Sequence, residues 1–481
     1  MNKTITILPY NSNYTNTLLH DHSDILFYGP ECNTTGNIPY VLCEENIFSS
    51  KTLRLILSEK NVLQHEKIIL ITQQINFLPS ECFFREAEDQ KSLLSYSNYF
   101  DDDKNETVEL IDYQLGSIRD GFKFGPVLII KNSSKLVNLI DDANYHFAGL
   151  YDFILRISES ELPHKIDKVL YHISQGIIDN RKSGEKQFDY LDPRKREAQL
   201  EYEKAATDHL KRIGAFIDSN KLLDINYNEK TFDTYMSVII PVYNREKTIA
   251  DAVKSALAQK LDKPFNVIVV DNHSTDQTTP ILKQLAKENK QLIHIIPEEK
   301  DLKIGGCWNK AILSDHCGMF AVQLDSDDIY NTNQTLQKIA DKFEEEKCAM
   351  VIGSYELTNF QLQPLPPGVI DHKEWTSTNG MNNAIRINGL GAPRCFYTPV
   401  VRQILFPNCS YGEDYAMGLA ISRQFKLGRI YDVLYTCRRW EGNSDADLSQ
   451  KKQNENDFAK DKMRSNEIVK RQLLNGHINT I

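Results

Sequence analysis

From Met236 onward the chain repeats one pattern: a short apolar run, a polar cluster, then a helix-sized amphipathic stretch. Met236-Ser-Val-Ile-Ile240 reads as a strand that ends at Pro241. Glu246 to Ala258 follows as a helix, with Ile249, Val253 and Leu257 four residues apart. Phe265-Asn-Val-Ile-Val-Val270 is the next strand, Thr278 to Asn289 the next helix, and Phe320-Ala-Val-Gln-Leu324 the strand after it. Strands alternating with helices of this length predict a mostly parallel α/β sheet with right-handed crossovers. Such sheets bind ligands at the carboxyl ends of their strands.

The polar clusters lie at those ends. Pro241-Val242-Tyr243-Asn244 follows the first strand, Asp271-Asn-His-Ser-Thr-Asp276 the second, and Asp325-Ser326-Asp327-Asp328 the third. Carboxylates crowded at a strand end repel one another and favour a cation. Hard oxygen ligands suit Mg²⁺ or Mn²⁺, which commonly bridge such a site to substrate phosphates.

These segments resemble the family 2 glycosyltransferases, whose fold is the Rossmann-like GT-A fold of nucleotide-diphospho-sugar transferases. Ser237-Val-Ile-Ile-Pro-Val-Tyr-Asn-Arg245 is similar to the family's first strand and loop, and Val269-Val-Asp-Asn-His-Ser-Thr-Asp276 to its V-V-D-D-G-S-T-D segment. Leu324-Asp-Ser-Asp-Asp328 resembles its metal-binding D-x-D, and Gly412-Glu413-Asp414 the pair whose Asp is the catalytic base.

The resemblance implies an inverting transfer of a sugar from a nucleotide-diphosphate sugar, with UDP the expected nucleotide, to a glycan, lipid-linked or protein acceptor in polysaccharide or glycoconjugate synthesis. It implies Asp271 as reader of the base, Pro241, Val242, Tyr243 and Asn244 around it, and Asp325 and Ser326 on the donor. Asp327, with Asp325, would hold the divalent metal, and Asp414, beside Glu413, would be the general base. Departures from the pattern bear on the rest. Asn272 and His273 replace an Asp and a Gly, and Gly306-Cys-Trp308-Asn309 replaces Ala-Arg-Asn, which leaves Asn309 to face the donor. The metal-binding His that often precedes a late Ser is Glu441, a ligand or a surface residue. Arg438-Arg439-Trp440 sits over the diphosphate or the acceptor, or forms a cation–π stack. Trp308 and Trp375 are sugar-stacking or packing residues. Gly389-Leu-Gly-Ala-Pro-Arg394 is a floor for the sugar or an ordinary turn.

The rest of the 481 residues needs at least one more core. Tyr151-Asp-Phe-Ile-Leu-Arg-Ile-Ser158 matches Tyr415-Ala-Met-Gly-Leu-Ala-Ile-Ser422, with Gly149-Leu150 where Glu413-Asp414 stands. Val41–Phe48 matches Gln323–Tyr330 more weakly. The expected layout is an α/β domain over 1–182, a degenerate and non-catalytic GT-A-like copy; a helical linker over 183–234, begun by Asp192-Pro193; the transferase domain over 235–445; and a helical tail over 446–481. The copy is left to orient the acceptor, mediate homo-oligomerisation or recruit the enzyme to an assembly.

Composition narrows the setting. A net charge of −10 gives no footprint for nucleic acid. Nine cysteines without a CxxC pair point to a reducing, cytoplasmic location. No apolar run approaches the roughly 20 residues that span a bilayer, so any membrane association is peripheral. A nucleotidyltransferase would need a Gly-rich loop after the first strand, which Pro241–Arg245 lacks. A non-catalytic glycan- or nucleotide-binding scaffold would have no need for Asp325, Asp327, Glu413 and Asp414 together.

Overall fold

The computed structural model describes all residues except 1–2, 11–21, 31–37, 141–143, 175–195, 229–230, 374, 441, 444–447 and 478–481. Asp192-Pro193 and Glu441 lie outside the described residues. Contacts divide the chain into two compact units: Met1–Arg181 with Pro193–Phe216 and Ser449–Ile481, and Lys182–Asp192 with Ile217–Leu448.

The first unit has a nine-stranded sheet: β1 Thr4–Pro9, β2 Asp24–Gly29, β3 Tyr40–Leu42, β4 Lys67–Ile71, β5 Asn76–Pro79, β6 Leu94–Asp101, β7 Glu106–Val108, β8 Val127–Lys131 and β9 His164–Ser174. The second has another: β10 Met236–Val242, β11 Phe265–Asp271, β12 Leu292–Ile295, β13 Phe320–Gln323, β14 Ile329–Tyr330, β15 Met350–Asn359, β16 Pro364–Ile370, β17 Arg394–Tyr397 and β18 Leu427–Arg439. The strand orders are β3-β2-β1-β4-β8-β6-β9-β5 and β12-β11-β10-β13-β17-β15-β18-β14, with β7 on β6 and β16 on β15. Strand for strand, these are one topology. The sense of every pairing also agrees. Both sheets are parallel from their first edge to β4 or β13, then join an antiparallel β8 or β17. The first unit is therefore a second copy of the α/β plan.

Pairing register fixes the correspondence. Tyr171 pairs with Tyr99 as Tyr435 pairs with Tyr355. Helix Gly149–Ser158 answers to helix Glu413–Ser422 residue for residue, so Leu150 stands in the place of Asp414. The match of Val41–Phe48 to Gln323–Tyr330 does not survive. Tyr40–Leu42 is the edge strand that answers to Leu292–Ile295, and the true counterpart of the Asp325 loop follows β4. That connection, Thr72-Gln-Gln-Ile-Asn-Phe77, contains no acidic residue. The resemblance of Val41–Phe48 lay in apolar positions that any strand-to-loop junction shares.

In the second unit the sheet core is mainly apolar, with Ser237 donating to Asn266 at 2.6 Å inside it. Val238, Ile239 and Ile240, and Val267 through Val270, are all fully buried. Such strands, covered on both faces, end abruptly where the chain meets a polar cluster.

The helix expected as a linker spans Arg196–Arg212 and belongs to the first unit, burying Ala205, Ala206, His209 and Leu210. The tail forms helix Gln450–Leu474, capped by the hydroxyl of Ser449, which accepts from Lys452 N–H. It also completes the first unit. Its Asp461 accepts from Arg119 Nε at 3.1 Å and pairs with Arg464 at 2.8 Å, and all three side chains are buried. Gly116 lets the helix approach: a Cβ there would lie 2.3 Å from the Asp461 carbonyl oxygen. Among the described residues no helix is long and apolar enough to cross a membrane.

Candidate active site

The first two strand-end loops of the second unit are sewn together. Val242 is buried and Tyr243 turns outward, 55% exposed. Asn244 takes a positive φ of 51°, its N–H donates to Ser274 Oγ at 3.0 Å, and its Oδ1 accepts from Thr275 N–H at 2.7 Å. Asp271 is fully buried beneath this junction. Its Oδ1 accepts from Ser274 N–H at 3.0 Å, and its Oδ2 meets the Thr279 hydroxyl and, at 3.3 Å, His294 Nε2. Burial raises its pKa, but the hydrogen bonds from His294, Thr279 and Ser274 outweigh that and hold it well below the usual carboxylate range. Three of its roughly four acceptor positions are taken, by Ser274 of the loop, Thr279 of the following helix and His294 of β12. Asp271 is thus the loop's anchor, not a free carboxylate turned to a base.

The third loop carries the acids. Asp325 Oδ1 accepts from Gln323 Nε2 at 2.9 Å, and its N–H donates to the Tyr435 hydroxyl at 3.0 Å. That hydroxyl in turn donates to Asp328 Oδ2 at 2.9 Å, while Arg438 N–H donates to Asp328 Oδ1 at 2.8 Å. Asp328 is therefore a buried brace. Asp327 faces the other way: Arg245 Nε lies 3.7 Å from its Oδ2, with Asn443 Nδ2 at 3.3 Å and Trp440 Nε1 at 3.4 Å. Burial pushes the Asp325 carboxyl up, opposed by Arg394 and reinforced by the charges of Asp327 and Asp414. Burial and the same neighbours, Asp327 and Asp325, push Asp328 up further.

Across from these acids lies the first turn of helix Glu413–Ser422. Gly412 adopts a φ of 81°, a conformation that suits glycine, and swings the chain so that Glu413 and Asp414 open the helix. Acidic residues are favoured there by the helix dipole. Asp414 Oδ2 is 2.6 Å from Arg394 Nη1, which enters on β17. Arg394 also feels the charges of Asp325 and Glu413. Burial, then the charge of Asp414, pushes the Glu413 carboxyl up to about 8. Asp325, Asp414, Glu413 and Arg394 thus form one electrostatic cluster.

Asp325, Asp327, Glu413 and Asp414 lie close enough for their charges to interact. Asn309 is not available to a donor: its Nδ2 donates to the Phe406 carbonyl and its Oδ1 accepts from Phe406 N–H, at 2.8 and 2.9 Å. Trp308 packs on Phe396 and Phe406, and Trp375 is buried, so both are packing residues. Gly391, at φ 100°, closes against the Gly353 carbonyl as part of the fold under β17. Ser326 is buried beside Asp325, and Arg439 is half-buried at the end of β18. Sequence reasoning named Arg394 only as the end of a candidate sugar-floor loop, and missed Tyr435 as a member of the site and Arg438 as the prop of the acid loop, where its Nε donates to the Asp327 carbonyl at 2.6 Å. An arginine entering a buried strand directly after Ala-Pro was the available signal for Arg394.

Among the described residues no group of three His, Cys, Asp or Glu is placed to hold a metal. The donor chemistry nonetheless fits one delivered with a phosphate ligand. Mg²⁺ sites of that kind use one or two carboxylates and complete their shell with phosphate oxygens and water. Asp325 and Asp327 would supply the carboxylates; burial, and then the charge of Asp327, raise Asp325.

The sequence model of glycosyl transferase family 2 matches residues 237–388. The chain is 30% identical over 193 residues to the putative teichuronic acid biosynthesis glycosyltransferase TuaG of Bacillus subtilis, covering 39% of this chain and 72% of TuaG. The chain belongs to glycosyltransferase family 2. Within that family it is also 36% identical over 105 residues to the poly(ribitol-phosphate) β-N-acetylglucosaminyltransferase TarS of Staphylococcus aureus, covering 22% of this chain but only 18% of TarS. The structure of TarS 1–349 with UDP-GlcNAc shares 23% identity at a TM-score of 0.38, over 50% of this chain and 73% of that one. The family match ends at residue 388, before Arg394 and Asp414, so the roles of those two rest on the geometry described above.

Proposed function

We propose that the second unit transfers a sugar, with inversion, from a nucleoside-diphosphate sugar to a hydroxyl of a cell-envelope glycan or polyol-phosphate polymer. TuaG and TarS are named for such polymers, and TarS binds UDP-GlcNAc, so a UDP-sugar is the donor proposed here. The observation that carries the reading is the placement of Asp414 on a helix's first turn, in one charge cluster with Asp325 of the D-x-D loop and bridged by Arg394.

In this reading the junction of the Tyr243 and His273 loops cradles the base, with Asp271 holding its shape. Asp325 and Asp327 would hold a divalent Mn²⁺ or Mg²⁺, which offsets the charge gained by the leaving diphosphate. Asp414 accepts the acceptor hydroxyl's proton as that oxygen bonds to the anomeric carbon and the carbon–oxygen bond to the diphosphate breaks. Arg394, 2.6 Å away, aims the Asp414 carboxylate. Trp440 and Asn443 steady the Asp327 carboxylate.

The test is UDP release from a panel of UDP-sugars with manganese, with wild type and Asp414→Asn compared. Release by wild type, lost in the variant, supports the reading. A variant as active as the wild type would remove Asp414 from the mechanism.

A further inference from the structure

The first unit has lost the acids but kept a cavity in their place. It encloses about 330 Å³, within the range of small-molecule pockets, about 300–1,000 Å³. Its walls come from the loop after β4 at Thr72 and Gln73, from Gly125-Pro126 before β8, and from Leu150 on the first turn of helix Gly149–Ser158. In the second unit the same three elements carry Asp325, Arg394 and Asp414. By the pairing of β6 with β8 and of β15 with β17, Leu128 stands where Arg394 stands, and it lines the cavity. The pair Arg394–Asp414 has become two leucines, Leu128 and Leu150.

What replaces the chemistry is aromatic. Phe48, Tyr99, Phe122, Phe124, Tyr151 and Tyr202 line the cavity, and each is only partly buried. The rings are held rigidly: Tyr99 stacks on Tyr171 at 5.5 Å and 9°, Phe122 lies 4.6 Å from Phe124, and Tyr151 meets Tyr202 edge-on at 5.1 Å. The polar groups among them are few and of both signs. Arg119 is neutralised by Asp461 and Asp457, and Lys123 and Asp120 offset each other at the mouth. A nucleotide diphosphate needs cations or a metal-binding carboxylate pair, and Thr72–Phe77 supplies neither. A neutral pyranose has what this lining accepts: apolar C–H faces for rings, and hydroxyls for a few polar side chains at the rim.

We infer that this cavity is a non-catalytic binding site for a neutral saccharide unit of the polymer that the second unit extends. That the saccharide is the acceptor rests on the transferase reading above; that one binds here does not. Two variants probe the cavity from its accessible side. Tyr202→Ala removes a partly exposed ring, and Gln73→Trp, at an exposed position, fills the mouth.

The experiment is calorimetric titration of the full chain with short neutral oligosaccharides of the glucose, galactose, rhamnose and N-acetylglucosamine series, without nucleotide or metal. Wild type is expected to bind at least one series. Each variant is expected to weaken that binding roughly tenfold, about 1.4 kcal/mol, with UDP release in the absence of acceptor unchanged. No binding by wild type to any series, or binding that both variants keep at full strength, overturns the inference. Displacement of the bound saccharide by UDP also overturns it, because the cavity would then be an anion site. Saccharide binding lost in the variants of a protein that releases no UDP would uphold this site and refute the proposed transfer.

Discussion

Asp414 and Arg394 form a 2.6 Å ion pair between a helix start and a strand twenty residues earlier in the chain. The proposed base is therefore tuned by a cation from another element, and neither residue is set by its own neighbours in sequence.

Replacing Asp414 by Asn keeps the shape and removes the base. UDP release in the presence of acceptor should fall by about 10²–10⁴-fold, with the melting temperature close to that of wild type. A donor titration at saturating acceptor would show the loss in kcat with KM for the donor little changed.

Arg394→Gln leaves Asp414, Asp325 and Glu413 without their shared cation. Each carboxyl should then bind its proton more tightly. Since Asp414 acts ionised, the acid limb of the pH–rate profile should move to higher pH by about one unit or more. A profile that coincides with wild type at reduced height would mean that Arg394 does not tune the base.

Removal of divalent metal by chelation should abolish UDP release, and Mn²⁺ should restore it. Asp327→Asn should need a higher Mn²⁺ concentration for half-maximal rate, since one of two carboxylates is lost. Full activity in chelator would exclude a metal-assisted step.

Asp271 links stability to pH. Its folded-state pKa is depressed, so the unfolded chain binds the extra proton in acid. The stabilisation is present above the ordinary carboxylate range and is lost as pH falls through it towards the depressed value. Asp271→Ala, which leaves Ser274, Thr279 and His294 unpaired, should cost about 3 kcal/mol near neutrality. Melting curves of the variant should also fall less steeply with acidification than those of wild type.

Asn309→Ala tests the corrected role of Asn309. With both Phe406 hydrogen bonds gone, stability should drop by about 2 kcal/mol. KM for the donor should stay near the wild-type value, because Asn309 faces protein and not ligand.

Much of the site was legible because its signals are local. The buried strands are mostly apolar up to their ends, so Asp325 and the Asp271 loop stand out there. What was illegible depends on pairing across the sheet. Nothing near Asn309 announces that it clamps Phe406, 97 residues away. The saturation of Asp271 depends on His294, at the far end of the next strand. Charged helices read as solvated, yet in Gln450–Leu474 both Arg464 and Arg471 are fully buried. Their partners Asp461 and Glu467 lie three and four residues away, a spacing equally common on exposed faces.

That last helix has a consequence for synthesis. The first unit's buried charges close only when Asp461 reaches Arg119, 342 residues downstream. A ribosome must deliver the whole of the second unit before the first can be finished. Biogenesis thus runs against reading order, with the later-encoded half complete while the earlier one still lacks its final wall. Released chains truncated before Ser449 should therefore expose the pocket-bearing unit to protease while the Asp414 unit resists.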